Sequence, residues 1–231
     1  MSSPTPGSPA ARFPPGSRAH LLHAIALVAL RAAIAGGGLL AARAYLGPDQ
    51  GPLGGSRASF ALLGIQAALV LVLGWLALLR FGRVSLRDLG FRDLSPGKVA
   101  LGVAAFFPCL VCIASMLLAA GMTPPALLDA ILAQPFPVRM LCLGAGIVAA
   151  LADETLFRGY LQPALISRLG SALGVILTAL LFAATHFPRS ATQLVTWIFL
   201  GLIFGVLRGR DQPLWAPAIA HTLVWAVIGP M

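Results

Sequence analysis

The chain has 231 residues, of which 58% are hydrophobic and only 10% charged, with a formal net charge of +9 and a mean hydropathy of +0.90. A soluble domain carries about 25% charged residues, so this composition argues against a soluble fold and for an all-α, polytopic membrane bundle. The apolar runs are long and continuous rather than alternating, unlike barrel strands, and the arginines cluster in short loops, which suits membrane topology and not nucleic-acid binding.

Residues 1–18 are rich in Pro, Ser and Gly and are expected to form a disordered tail, leaving 19–231 as a single integral-membrane domain. About seven spans are expected, at 20–44, 58–79, 99–121, 138–166, 169–187, 191–207 and 213–229, separated by Gly and Pro clusters. The first is too long for a secretory signal and lacks a small-residue cleavage site. Its Arg31 and Arg43 are expected to face other helices or to snorkel, and His20 and His23 at its border to place polar tips in the headgroup region. Arg80, Arg83, Arg87, Arg92 and Lys98 follow the second span, tempered by Asp88 and Asp93. The positive-inside rule makes that loop and the N-terminus cytoplasmic. Arg168, Arg208 and Arg210 fall on the same side, while the opposite loops carry only Arg57, Arg139 and Arg189. Within the basic loop, Val84, Leu86, Leu89, Phe91 and Leu94 fit either a short interfacial amphipathic segment or a solvated loop. Cys109, Cys112 and Cys142 lie in spans and are read as small packing residues. Arginine-rich, lysine-poor usage suggests a bacterial inner membrane.

The polar residues inside these spans carry the chemical signal. Glu154, the only glutamate, follows Asp153 in Asp-Glu-Thr-Leu-Phe-Arg (153–158). A carboxylate in hydrocarbon costs several kcal/mol, of order 3, unless it is paired or lines a wet cavity, and Arg158 is the nearest partner. On a continuous helix Glu154 and Arg158 form an i,i+4 pair, leaving Asp153, about 100° around the axis, free for proton chemistry. Glu154 and His186 lie at similar distances from the turn near Leu169, roughly 23–26 Å at about 1.5 Å per residue, and His221 lies about 15 Å from the turn at Asp211. That agreement requires a helix unbroken from Val138 through Ile166 despite Pro163. A helix ending at Gly159 would instead put Glu154 near the membrane surface, and the sequence leaves both open. Two acids and two histidines in a wet pocket suffice for hydrolysis: a carboxylate takes a proton from water, one histidine orients it and the other supports the oxyanion. No cofactor is needed. The alternative is zinc on His186, His221 and Glu154, three ligands with an open position, although no His-Glu-x-x-His motif is present.

These residues resemble the CPBP family, the CAAX proteases and bacteriocin-processing or immunity (ABI) proteins. The family pattern of paired acids with a following arginine is matched by Asp153-Glu154-Thr-Leu-Phe-Arg158, then Gly159-Tyr160-Leu161. Phe-x-x-x-His is matched by Phe182-Ala-Ala-Thr-His186, and the last histidine by His221 in Pro217-Ala-Ile-Ala-His221, preceded by Gly201-Leu-Ile-Phe-Gly205. The resemblance covers about 138–231, which becomes the expected catalytic core. It implies a glutamic-type intramembrane endopeptidase, a hydrolase whose acids activate water with His186 while His221 supports the oxyanion, with Arg158, Phe182 and Trp225 in support. Two positions depart from the pattern. Asp153 stands where the family has Glu, and Trp225 where it has Asn or Asp.

The expected activity is hydrolysis of a peptide bond in a membrane-associated or lipid-modified protein or peptide, near the cytoplasmic half of the bilayer. The partners are that substrate and the lipid bilayer. The alternative is a catalytically silent relative acting as an immunity factor or membrane scaffold. A transporter is a third reading, without an evident inverted repeat.

Overall fold

The computed structural model describes residues 16–46, 57–123, 125–126, 129, 132, 135–209 and 212–228. Most of the tail expected over 1–18 lies outside that range. No strand occurs among the described residues. The helices are α1 (Arg18–Leu46), α2 (Arg57–Trp75), α3 (Leu86–Leu89), α4 (Pro96–Ala119), α5 (Phe136–Asp153), α6 (Gln162–Leu169), α7 (Ser171–Ala184), α8 (Ala191–Arg208) and α9 (Trp215–Ile228). Two π-helical segments, Leu76–Phe81 and Glu154–Leu161, continue α2 and join α5 to α6. Among the described residues five helical stretches are long and apolar enough to cross a membrane, and 171–184 and 215–227 are shorter apolar helices. Together these are the seven stretches marked in the sequence, with ends displaced by a few residues.

The local chemistry explains several boundaries. Ser85 and Asp88 form a reciprocal capping box at α3, and Gly90 closes that helix in the left-handed region at φ 103°, where a Cβ would be strained. Pro96 starts α4, where its missing N–H costs nothing. The turn expected near Leu169 lies at Gly170, at φ 82°.

The run 136–169 is one continuous helix, and Pro163 does not break it, because it sits in the first turn of α6 after the π segment. Within 154–161 the hydrogen bonding widens: the Gln162 N–H reaches back to the Phe157 carbonyl, five residues away. Such π turns recur at functional sites. This run forms the centre of the bundle. α5 packs on α2 and α9, the π segment on α1 and α3, and α6 on α7. Phe157, Leu161, Phe182, Phe204 and Val224 have no exposed surface, whereas Phe107, Val111 and Val206 are more than half exposed, as side chains facing lipid would be.

The basic loop is neither merely solvated nor merely interfacial. Leu89 is fully buried, a Cβ at Gly159 would lie 3.0 Å from the Leu89 carbonyl oxygen, and Leu214 N–H donates to the Gly90 carbonyl at 2.8 Å. The headgroup reading of the first two histidines also changes. His20 is 4% exposed with its ring centroid 4.3 Å from that of Tyr160, and His23 Nδ1 is 2.9 Å from the Tyr160 hydroxyl. The phenol on the π segment draws both imidazoles inward. Cys109 is buried and Cys112 half-buried, both as free thiols, while the Cys142 and Arg43 side chains lie outside the described residues.

Candidate active site

Asp153 ends α5 and Glu154 begins the π segment, so the neighbouring acids leave the axis about 100° apart and meet different partners. Glu154 Oε1 accepts from Arg158 Nη1 at 3.2 Å and lies 2.9 Å from His221 Nδ1 on α9. All three residues are completely buried. The Arg158 guanidinium is held further by the Gly201 carbonyl, to which Nη2 donates at 3.0 Å, and by the Phe182 ring 4.2 Å away. A Cβ at Gly201 would lie 3.0 Å from Ala179 Cα and Cβ, so glycine there brings α8 against α7 and bares the carbonyl that Arg158 uses. Gly205, one turn on, likewise offers its carbonyl to Gln162 Nε2 at 3.0 Å. The Gly-x-x-x-Gly pair thus packs helices and also supplies acceptors.

Asp153 is paired with Arg31 of α1, not Arg158. Arg31 Nε donates to Oδ1 and Nη2 to Oδ2, each at 2.9 Å, and Nη1 donates to the Thr185 carbonyl. This fork is the bidentate geometry that an arginine, and not a lysine, provides. His186 lies just beyond α7, in the loop before Ser190 caps α8. Its Nδ1 is 2.7 Å from the Phe182 carbonyl, which can only accept, so Nδ1 carries the proton and neutral His186 presents an Nε2 lone pair. That Nε2 lies 3.4 Å from Arg31 Nη2 and 3.5 Å from Asp153 Oδ2. Trp197 stacks on the ring at 4.1 Å and 26°. Phe182 therefore does two things: its ring meets Arg158 and its carbonyl fixes the His186 tautomer.

His221 is oriented by the same logic. An ionised Glu154 accepts Nδ1–H, which leaves Nε2 as an acceptor, and that atom is buried with no partner among the described residues. Phe204 stacks on the ring at 4.9 Å and 23°. Asp153, His186 and His221 each offer a ligand-type atom, all within 4.8 Å of one another. A single water between atoms so spaced can donate its two protons to two of them at a time. The zinc set expected from the sequence differs at one member, since Asp153 replaces Glu154, whose Oε1 is already shared by Arg158 and His221. A divalent ion would fit the donor types, but the Arg31 guanidinium on both Asp153 oxygens opposes a cation there.

Asp153, His186 and Arg31 line a cavity of about 380 Å³ whose walls are largely apolar, with Trp225 among them. Glu154 and His221 do not line it. Trp225 packs over Gly146, where a Cβ would lie 2.5 Å from Trp225 Cβ, and its indole N–H has no partner among the described residues. All four sequence-expected residues thus converge, but as two arginine–carboxylate–histidine groups. Arg31, which completes one of them, was legible only as a cation needing company in an apolar helix.

Residues 135–227 match the family model described as Rce1-like, type II CAAX prenyl endopeptidase. The matched segment contains Asp153, Glu154, Arg158, Phe182, His186, His221 and Trp225, and not Arg31. No curated protein and no solved structure matches the chain.

Proposed function

Through residues 135–227 the chain belongs to the Rce1-like, type II CAAX prenyl endopeptidase family, and from that premise we propose that it is an integral membrane peptidase that hydrolyses a peptide bond by activating water among Asp153, His186 and His221. The observation that carries this reading is the triangle of ligand-type atoms on Asp153, His186 and His221 within 4.8 Å of one another, with Asp153 and His186 lining the cavity and His221 buried directly behind them. A water there points its protons at acceptors and keeps an oxygen lone pair for a carbonyl carbon lying in the cavity. As the water attacks, its proton passes to His221 Nε2. The imidazolium so formed keeps its Nδ1–H on Glu154, which Arg158 holds in place. The same proton then goes to the leaving amine as the C–N bond breaks. Asp153 accepts the water's other proton in a hydrogen bond, His186 flanks it at the cavity wall, and the Arg31 charge stabilises the oxyanion that develops beside it. This assigns the last histidine a proton-transfer role in place of the oxyanion role implied by the resemblance, because its Nδ1 is committed to a carboxylate.

The test uses purified protein in liposomes with membrane-tethered peptides. Wild type should cleave, and Asp153→Asn and His221→Ala should each slow cleavage by about 10²–10⁴, the usual contribution of a positioned acid–base group. Chelators should leave the rate unchanged. Undiminished cleavage by either variant would rule the scheme out, and loss on chelation with restoration by zinc would favour the metal set. A second reading, a relative that binds without cleaving, draws support from Trp225 and from the engagement of both Asp153 oxygens by Arg31. It predicts ligand retention and no turnover in every variant, wild type included.

A further inference from the structure

The cavity reaches only one side of the bundle. Asp153 lies midway along the run 136–169, with about 25 Å of helix on either side. From that level the lining residues all lie toward one end. Leu39 is near the C-terminal end of α1 and Leu117 near that of α4, Gln66 is in the first half of the helical run 57–81 and Gln193 at the start of α8, and Phe187 and Arg189 are in the α7–α8 loop. Successive long helices alternate in direction, so these positions share an end. The opposite end holds Arg83, Arg87 and Arg92 of the α2–α4 connection and Lys98 in the first turn of α4, with Arg168 and Arg208. From that basic end the way to Asp153 is blocked. Leu89, Phe157 and Leu161 are all fully buried, and α3 seats directly on the π segment at Gly159.

Cations concentrate on the cytoplasmic side of membrane proteins. We infer that the cavity is entered from the non-cytoplasmic face, and that its substrate is an extended peptide segment of a membrane-anchored polypeptide presented on that face. The inference rests on the peptidase reading above for what the occupant undergoes, but not for where it enters. It reverses the half of the bilayer expected from the sequence, because the depth of Asp153 says nothing of which side is open. A volume of about 380 Å³ falls in the range of about 300–1,000 Å³ typical of ligand sites, room for a short stretch of chain and not a folded domain. Apolar walls with Gln66, Gln193 and Arg189 at the rim suit a segment leaving the lipid phase, its backbone amides meeting the rim amides. A cytoplasmic C-terminal tail would meet the plugged end.

Entry and cleavage are tested separately. Gln193→Cys, Arg189→Cys and, on the basic loop, Arg87→Cys are treated with a membrane-impermeant maleimide in intact spheroplasts and after lysis, with the wild-type protein giving the background of its own thiols. Labelling of position 193 or 189 before lysis, with position 87 labelled only afterwards, is the expected result, and the inverse pattern overturns the inference whatever the protein's activity. In the second arm one single-span reporter carrying the same peptide is inserted in the two orientations. Cleavage only of the orientation that exposes the peptide on the non-cytoplasmic face is expected. Cleavage only of the other overturns the proposed side while leaving the peptidase reading intact. Cleavage of neither, with labelling as expected, overturns the assigned substrate and counts against the peptidase reading, but not the side of entry.

Discussion

Asp153 and Glu154 are adjacent in sequence and each is paired with an arginine and a histidine, yet they occupy opposite situations. Asp153, with Arg31 and His186, faces a cavity, and its arginine comes from a helix 122 residues away in sequence. Glu154, with Arg158 and His221, is sealed, and its arginine is one turn along the same chain segment. The difference separates two tasks that a single acid could not perform together. A carboxylate that handles water must be reachable, whereas one that orients an imidazole works best where no water competes for its hydrogen bonds. The π turn lies at this division, widening the helix just where the two acids part.

The contrast can be broken most sharply on the sealed side. Arg158→Ala leaves Glu154 charged and without its cation in a site with no exposed surface. Removing one member of a buried pair costs about 3–5 kcal/mol, so the variant should unfold at much lower temperature in detergent, measured by thermal denaturation. An unaltered midpoint would mean that the sealed group is not structural. Gly201→Ala acts on the same group more gently: its methyl would lie 3.0 Å from Ala179 and push α8 off α7, at about 1–3 kcal/mol for overpacking, read by the same melt. On the open side Arg31→Lys keeps a charge but loses the two-pronged grip on Asp153. Cleavage should fall about tenfold, equivalent to about 1.4 kcal/mol, with little change in melting. A rate loss accompanied by an equal stability loss would erase the distinction between the two groups.

Much of this arrangement is legible in the sequence alone. Composition marked the helical bundle, and apolar runs bounded by Gly and Pro located its spans. Counting depth along helices brought Glu154 and His186 to one layer, because helical rise is nearly independent of sequence. Three things were not legible. A lone arginine in an apolar helix reads the same whether it snorkels or pairs, so Arg31 could not be matched to Asp153 without tertiary packing. The i→i+5 bonding of 154–161 has no compositional signature, and it helps to direct the two acids to different neighbours. Which acid is walled off depends on how Phe182 and Phe204 close around Arg158 and His221, the two partners of Glu154, and every buried apolar side chain looks alike in sequence. His20 and His23 belong to the same class: their position at the border of a span hid the tyrosine that they meet.

The central claim is that residues from both groups, Asp153 and His221, act on one water. A double-mutant cycle on cleavage of a membrane-tethered peptide tests it most directly, using wild type, Asp153→Asn, His221→Ala and the double variant. Residues that act as a unit lose their effects non-additively, so the double variant should be slowed no more than about threefold beyond the slower single variant. Losses that multiply in the double variant would show that the two residues act in separate steps and would contradict the account.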